Sequence, residues 1–299
     1  MPVAAVGVLS RMRDFHSRWI AAALCLAVGL SLGACAGGDK GPGFERDGAA
    51  DAAGEAPLAG SIPASRVYPT GPLVKRYRVL SLPEREEVEQ SILVTHPPDE
   101  DGVVRLVTST ISENDEERAP RASHLKVGED GAIKVLKVET SSEAGGLGGG
   151  RRIFRYEPPL TLMPGELGPE EVFEEEVSMI QLDANEPTRT VGEGKVRRRV
   201  RQMRPGEAAD IFSEASEALR SGVVTEMRVT FGPAVDTRTE WRLLDSTIDA
   251  GAVRKRLDRR LTVLGLPQKD EKTLSILESH QRELPEDDAL AATDRGGGL

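Results

Sequence analysis

Between Val67 and Glu283, apolar and polar residues alternate in short runs that turn residues separate at close intervals. Valine, threonine and isoleucine are frequent in these runs, as is typical of antiparallel strands. The pattern predicts strands at Leu73–Leu82, Glu89–Thr95, Val103–Ile111, Ser123–Val127, Ile133–Thr140, Arg152–Tyr156, Glu171–Leu182, Arg189–Met203, Val223–Phe231, Arg238–Asp245 and Val253–Leu264.

Two segments have a helical pattern instead. Pro205–Ser221 begins with a proline, carries acidic residues in its first turn, places apolar side chains on one stripe and is followed by a glycine. Lys269–Leu284 places Leu274, Ile276 and Leu277 on one face. We therefore expect a mainly β fold, an antiparallel sheet or a partial barrel or sandwich, with one inserted helix and a C-terminal helix.

One hairpin can be predicted residue by residue, with its turn at Asn185–Thr188. The proposed register pairs Phe173 with Val200, Val177 with Val196, Leu182 with Val191, Glu174 with Arg199, Glu175 with Arg198, and Glu176 with Arg197. Opposite charges across strands contribute about 0.2–1 kcal/mol each, and a slip by one residue would lose them. We interpret the hairpin as a solvated charged ribbon; the alternative is a basic stripe for an anionic ligand formed by Lys195, Arg197, Arg199 and Arg201.

A prolyl pair interrupts the pattern after Tyr156, in the stretch Tyr156–Gly168. Proline donates no hydrogen bond and is therefore excluded from a central paired strand. We expect an irregular extended segment that closes one end of the sheet.

The N-terminus has the layout of a secretory signal peptide. Arg11, Arg13 and Arg18 form a basic region, and Trp19–Leu32 is an uncharged apolar run. The run has about 14 residues, whereas a membrane-spanning helix needs roughly 20. A cleaved leader at residues 1–34 is therefore the preferred interpretation.

The residues Leu32-Gly33-Ala34-Cys35 resemble the lipobox of bacterial lipoproteins. This resemblance implies that the Cys35 sulfur is joined to diacylglycerol, that the leader is cut before it, and that the new amino group is acylated. Several acyl chains give lasting membrane attachment where a single chain does not. Ala36 at the following position implies sorting to the outer membrane, with the protein facing the periplasm.

The remaining chain divides by composition. Residues 35–66 are rich in glycine, alanine, aspartate and proline and predict a disordered tether; residues 67–283 form the β-rich domain, and 284–299 form an unstructured tail. The full chain has a formal net charge of −10, and the leader would remove three basic residues and one acidic residue. Such an acidic chain is a poor partner for nucleic acid.

No catalytic signature is present in the sequence. His96, His124 and His280 lack the spacing of metal ligands, and no cysteine is left as a nucleophile once the leader is removed and Cys35 is acylated. We predict neither enzymatic activity nor a bound metal or cofactor.

Two functions are the main candidates, and a hydrolase with no recognisable motif is a third possibility. The first is a lipid-anchored periplasmic protein that presents its β domain for binding or structural support, to an envelope protein for example. The alternative is a carrier or chaperone for lipid or another hydrophobic ligand, with a curved sheet and a helix as lid. In that case we expect Phe212, Leu219 and Trp241 to line an apolar groove.

Overall fold

The computed structural model describes residues 60–112, 117–141, 151–212, 221–245, 248 and 251–282. Within them the chain forms a closed barrel of twelve strands. The barrel strands are β2 (Leu73–Ser81), β3 (Glu87–Thr95), β4 (Val103–Ser112), β5 (Glu117–Val127), β6 (Ile133–Ser141), β7 (Arg151–Met163), β9 (Val172–Leu182), β10 (Thr190–Gln202), β11 (Ser221–Phe231), β12 (Ala234–Leu244), β13 (Ala252–Val263) and β14 (Leu266–Gln281). The other elements are β1 (Ile62–Pro63), α1 (Ala64–Val67), β8 (Glu166–Leu167) and α2 (Glu207–Phe212).

The barrel follows the order of the chain. Each barrel strand pairs antiparallel with the next barrel strand, and β14 pairs with β2 to close the ring. The predicted mainly β, antiparallel class is confirmed. The partial barrel or sandwich is corrected to a closed barrel, which leaves β2 and β14 without the free edges that an open sheet would have.

The predicted C-terminal helix at Lys269–Leu284 is wrong, because β14 occupies Leu266–Gln281. Leu274 and Ile276 point to the outer face of the barrel, two residues apart as a strand requires. Pairing with β13 on one side and β2 on the other satisfies the backbone of this segment. These two ladders outweigh the helical preference of its lysine, glutamate and leucine residues.

The inserted helix predicted at Pro205–Ser221 begins two residues later than predicted and does not include Ser221. Helix α2 covers Glu207–Phe212, and Ser221 already belongs to β11. Residues 213–220 lie outside the described residues. Helix α2 packs against the outer face of the barrel wall in a cluster that we call the outer cluster: Met203, Ala208, Phe212, Val224, Leu243 and Leu274.

The predicted β9–β10 register is confirmed along most of its length. Phe173 lies opposite Val200, and Val177 lies opposite Val196. The three Glu–Arg pairs are also aligned as expected. The register shifts near the turn, where Leu182 lies opposite Thr190 rather than Val191. Side chains of Lys195 and Glu176 point outward and form an exposed ion pair at 3.2 Å.

The two prolines after Tyr156 lie within β7, where they interrupt its backbone pairing with β9. Backbone pairing between β7 and β9 covers Ile153–Glu157 and stops at the two prolines. Beyond them, Arg198 donates a side-chain hydrogen bond to the Leu162 carbonyl, and Glu175 accepts one from the Thr161 backbone N–H. We call this stretch of β7 and β9, closed by side chains instead of a backbone ladder, the seam.

One end of the barrel is closed by a plug formed by β1, α1 and β8. Ile62, Ala64 and Leu167 are buried in the main apolar core. Gln202 of β10 donates hydrogen bonds to the carbonyls of Gly60 and Leu167, at 3.1 and 2.7 Å. Residues 60–66, assigned to the tether from composition, are therefore packed against the barrel.

Candidate functional site

The inner face of the barrel carries much of the charge, which is clearest in β12. Asp236, Arg238, Glu240 and Arg242 alternate along this strand and point into the lumen. Trp241, at the opposite parity, packs with the outer cluster. The apolar face of β12 thus points outward beneath α2, and its charged face points inward.

The lumen has accessible space beside these charged groups. Arg121 of β5 lies on the inward register, opposite Thr140 and Thr108, and its side chain is nonetheless exposed. Glu240 retains 26% of its side-chain exposure. Barrels of eight strands are just wide enough for side chains or one small ligand, and the diameter grows with strand number.

Near the plugged end, three cationic side chains meet around tyrosine rings. The ammonium group of Lys255 lies 3.8 Å from the centre of the Tyr77 ring, and that of Lys75 lies 5.9 Å from the same centre. Tyr77 is held in place by a hydrogen bond of 2.7 Å from its hydroxyl to the Ala252 carbonyl. Lys75 is only 5% exposed.

Arg242 is the third cation of this group. Its Nη2 donates to the Glu240 Oε2 at 2.8 Å, and its guanidinium lies 4.2 Å from the centre of the Tyr68 ring. Tyr68 directly follows α1, so the plug contributes to the same site. We call Lys75, Tyr77, Glu240, Arg242 and Lys255 the lumenal cluster.

The backbone register sets two positive charges against each other. Arg242 and Lys255 are directly opposite residues on β12 and β13, with both side chains facing the lumen. Like charges in directly opposed positions destabilise a sheet. The fold therefore maintains this arrangement at a cost in stability.

The pKa values of the cluster reflect this environment. Burial lowers the pKa of Lys75 to about 7, and the charges of Lys255 and Arg242 act in the same direction. Burial also lowers the pKa of Lys255 to about 8, although Glu240 opposes the change. Burial by itself would raise the pKa of Glu240, but the charge and hydrogen bond of Arg242 lower it on balance.

A second group of charges lies nearer the other end of the barrel. Asp236 accepts hydrogen bonds from Arg238 and Arg259, and Arg259 also lies 3.7 Å from a Glu271 oxygen. Lys269 lies 2.5 Å from the same Glu271 oxygen, so three cations share two carboxylates in this group. At this rim a polar cavity of about 600 Å³ is lined by Arg151, Arg152, Gln181, Leu182, Asp183, Ala184, Asn185 and Val191.

The structure brings two of the predicted groove residues together. Phe212 belongs to the outer cluster, and Trp241 packs against it. The Trp241 Nε1 donates a hydrogen bond of 3.1 Å to Glu207 of α2. They meet on the outer face of the wall, beneath the helix. Leu219 and the lipidation residue Cys35 lie outside the described residues, as do the predicted leader and most of the tether.

The lumenal cluster was missed from the sequence because its members are far apart in the chain. A signal does exist: the strands that form β12 and β13 carry charged residues at inward positions where a filled core would need apolar ones. That signal is ambiguous unless it is known which face of each strand points inward. The apolar Trp241 favours the opposite orientation of β12.

The fold and the site define an up-and-down antiparallel barrel, plugged at one end, with a charged lumen. Comparisons with protein-family models, curated proteins and solved structures found no match for this chain. Within the described ranges, no group of histidine, cysteine and acidic side chains is arranged to hold a metal ion. In the same part of the chain, no helix has the length and apolar character needed to cross a membrane.

Proposed function

We propose that the protein is a lipid-anchored binding protein of the bacterial cell envelope, which holds a ligand inside its barrel and carries out no catalysis. The observation that carries this proposal is the accessible space inside the wall, beside Arg121 and Glu240. A barrel that served only as structural support would gain stability from a filled apolar core. This one keeps charged groups around open space.

The lipobox supports membrane attachment through Cys35, and the outer face supports an aqueous setting for the barrel. Glu174, Glu176, Lys195 and Arg197 point outward from β9 and β10. Strands that face lipid carry an apolar outward band. We therefore place the barrel in the periplasm, tethered to the outer membrane by the lipidated N-terminus.

The hydrophobic carrier remains the second candidate, and one observation favours it. Apolar residues of β7, β9 and β10 also point inward, including Phe154, Met179 and Val196, although Glu175 and Arg198 share that inner face. However, α2 packs on the outside of the wall, and Phe212 and Trp241 pack there with it. The helix therefore does not cover the lumen as the lid that the carrier was expected to have, and the inward charges of β12 favour a ligand with at least one polar group.

Replacing Cys35 by alanine tests the anchor. We expect the protein to move from the membrane fraction to the soluble fraction, because the thioether attachment requires the cysteine sulfur. The measurement is immunoblotting of membrane and soluble fractions, with the intact mass showing whether the leader has been removed. A wild-type N-terminal peptide that does not begin at an acylated Cys35 would contradict the anchor.

Filling the lumen tests the binding function. The full chain carrying Cys35→Ala, purified from its native envelope, should retain a small molecule detectable by native mass spectrometry. Adding Ser123→Trp places a large side chain on the inward register of β5 and should abolish this extra mass. Ser178→Trp, at an exposed outward position of β9, is the matched control and should leave it unchanged. Equal occupancy in the two tryptophan variants, or no bound molecule at all, would contradict the proposal.

A further inference from the structure

We propose that the lumenal cluster binds the oxyanion group of an anionic ligand, of the carboxylate, phosphate or sulfonate type. The inference rests on the proposed binding function and names the chemical class of the ligand. Positive charges converge near the plugged end, buried guanidinium donors there have no acceptor among the described residues, and open space lies beside them.

Three positive side chains converge at the plugged end. Lys75 and Lys255 lie over the Tyr77 ring, and Arg242 lies over the Tyr68 ring beside them. Bringing like charges together inside a protein is costly, and an anion placed among the three side chains would offset that cost.

Two arginines at the cluster have hydrogen-bond donors that are not used by any described acceptor. The Nε–H of Arg242 is buried and has no acceptor among the described residues. The same holds for the Nε–H of Arg198, whose side chain is only 3% exposed. Arg198 lies close to the cluster, because its Nη2 is 3.4 Å from the Thr225 hydroxyl and Thr225 is directly opposite Glu240. An oxyanion accepts several charge-assisted hydrogen bonds at once and suits such donors.

The cluster is accessible from the lumen. Arg242 keeps 16% of its side-chain exposure and Glu240 keeps 26%, although both face inward. Water-sized space therefore borders the guanidinium and its carboxylate partner. The aromatic rings of Tyr77 and Tyr68 hold Lys255 and Arg242 in position next to that space.

Isothermal titration calorimetry on the full chain carrying Cys35→Ala tests the inference, with sulfate and 1-octanesulfonate as probes. Both probes keep a constant charge across the working pH range. We expect Lys255→Gln to weaken binding at least tenfold. The matched control Lys195→Gln removes an equal charge from the outer face, at a side chain that is 73% exposed, and should change affinity less than twofold.

A second variant keeps the test decisive if Lys255→Gln fails to fold. Lys75→Met replaces a buried cation with an apolar chain of similar length and should also weaken binding at least tenfold. The two probes distinguish the source of the anion: tighter binding of 1-octanesulfonate indicates the head group of an amphiphile, and equal binding indicates a free oxyanion.

Two results would overturn the inference. One is that neither probe binds at millimolar concentration, and the other is binding that survives in the folded lysine variants. A neutral molecule found in the lumen by native mass spectrometry, together with no binding of either probe, would leave the proposed function standing and refute the anionic ligand alone.

Discussion

Glu240→Gln should lower the free energy of unfolding by about 3 kcal/mol, because it removes the carboxylate that Arg242 and Lys255 share inside the barrel. Removing one partner of a buried ion pair leaves the other charge uncompensated, and here several positive charges would remain together. Urea unfolding followed by circular dichroism on the Cys35→Ala chain measures the change.

Two further variants show whether the charge is the cause. Glu176→Gln removes a carboxylate that is 54% exposed on the outer face, and it should change stability by less than about 0.5 kcal/mol. Adding Lys255→Met to Glu240→Gln should recover at least half of the loss, because it removes one of the charges that Glu240 compensates. If Glu240→Gln is as stable as the wild type, the ion pair does not hold this part of the lumen together.

The second prediction has the opposite sign: Lys75→Met should raise the free energy of unfolding at pH 7 by about 1–4 kcal/mol. Lys75 is buried beside Lys255 and Arg242, so its charged form is disfavoured in the folded protein. An apolar chain of similar length avoids that cost. Such a gain, combined with loss of anion binding, would be a trade of stability for function.

The pH dependence follows from the pKa of Lys75, which is about 7 in the folded protein against an ordinary value of 10.5. Between these values the Lys75 side chain holds a proton in the unfolded chain that it has lost in the folded chain, so the contribution of Lys75 to stability rises with pH over this interval. The advantage of Lys75→Met should therefore be largest at or below pH 7 and shrink towards pH 10. Unfolding titrations at pH 6, 7, 8 and 9.5 measure it.

Lys195→Met is the control for this series, since its ammonium group lies on the exposed outer face. We expect it to leave both the stability and its pH dependence unchanged. A Lys75→Met protein that is less stable than the wild type at pH 7 would show that the contacts of the lysine outweigh the cost of its burial.

The sequence was most informative where neighbouring strands constrain each other. The β9–β10 register was predictable because valines on one face and opposite charges on both faces agree on a single alignment, such as Val177 with Val196. It failed at Val191, where a bulge shifts the pairing. The periodicity of one strand contains no information about such a local irregularity.

Segments whose secondary structure depends on partners far away in the chain were harder to predict. The predicted helix Lys269–Leu284 contains good helix formers, and its residues as far as Gln281 form a strand because β13 and β2 each offer an edge for pairing. The lumenal cluster depends on the same closure, which brings Lys75 near Lys255 although the two are far apart in the chain. The inward direction of Glu240 could not be predicted, because Trp241 beside it favours the reverse orientation of β12.

Arg198 connects the seam to the interior of the barrel. Arg198 donates to the Leu162 carbonyl across the seam, and the same guanidinium reaches Thr225 beside Glu240. A ligand that drew this guanidinium towards the cluster would withdraw a hydrogen bond from the seam, where β7 and β9 lack a backbone ladder. We therefore expect occupancy of the interior and integrity of the wall to be thermodynamically linked through this side chain.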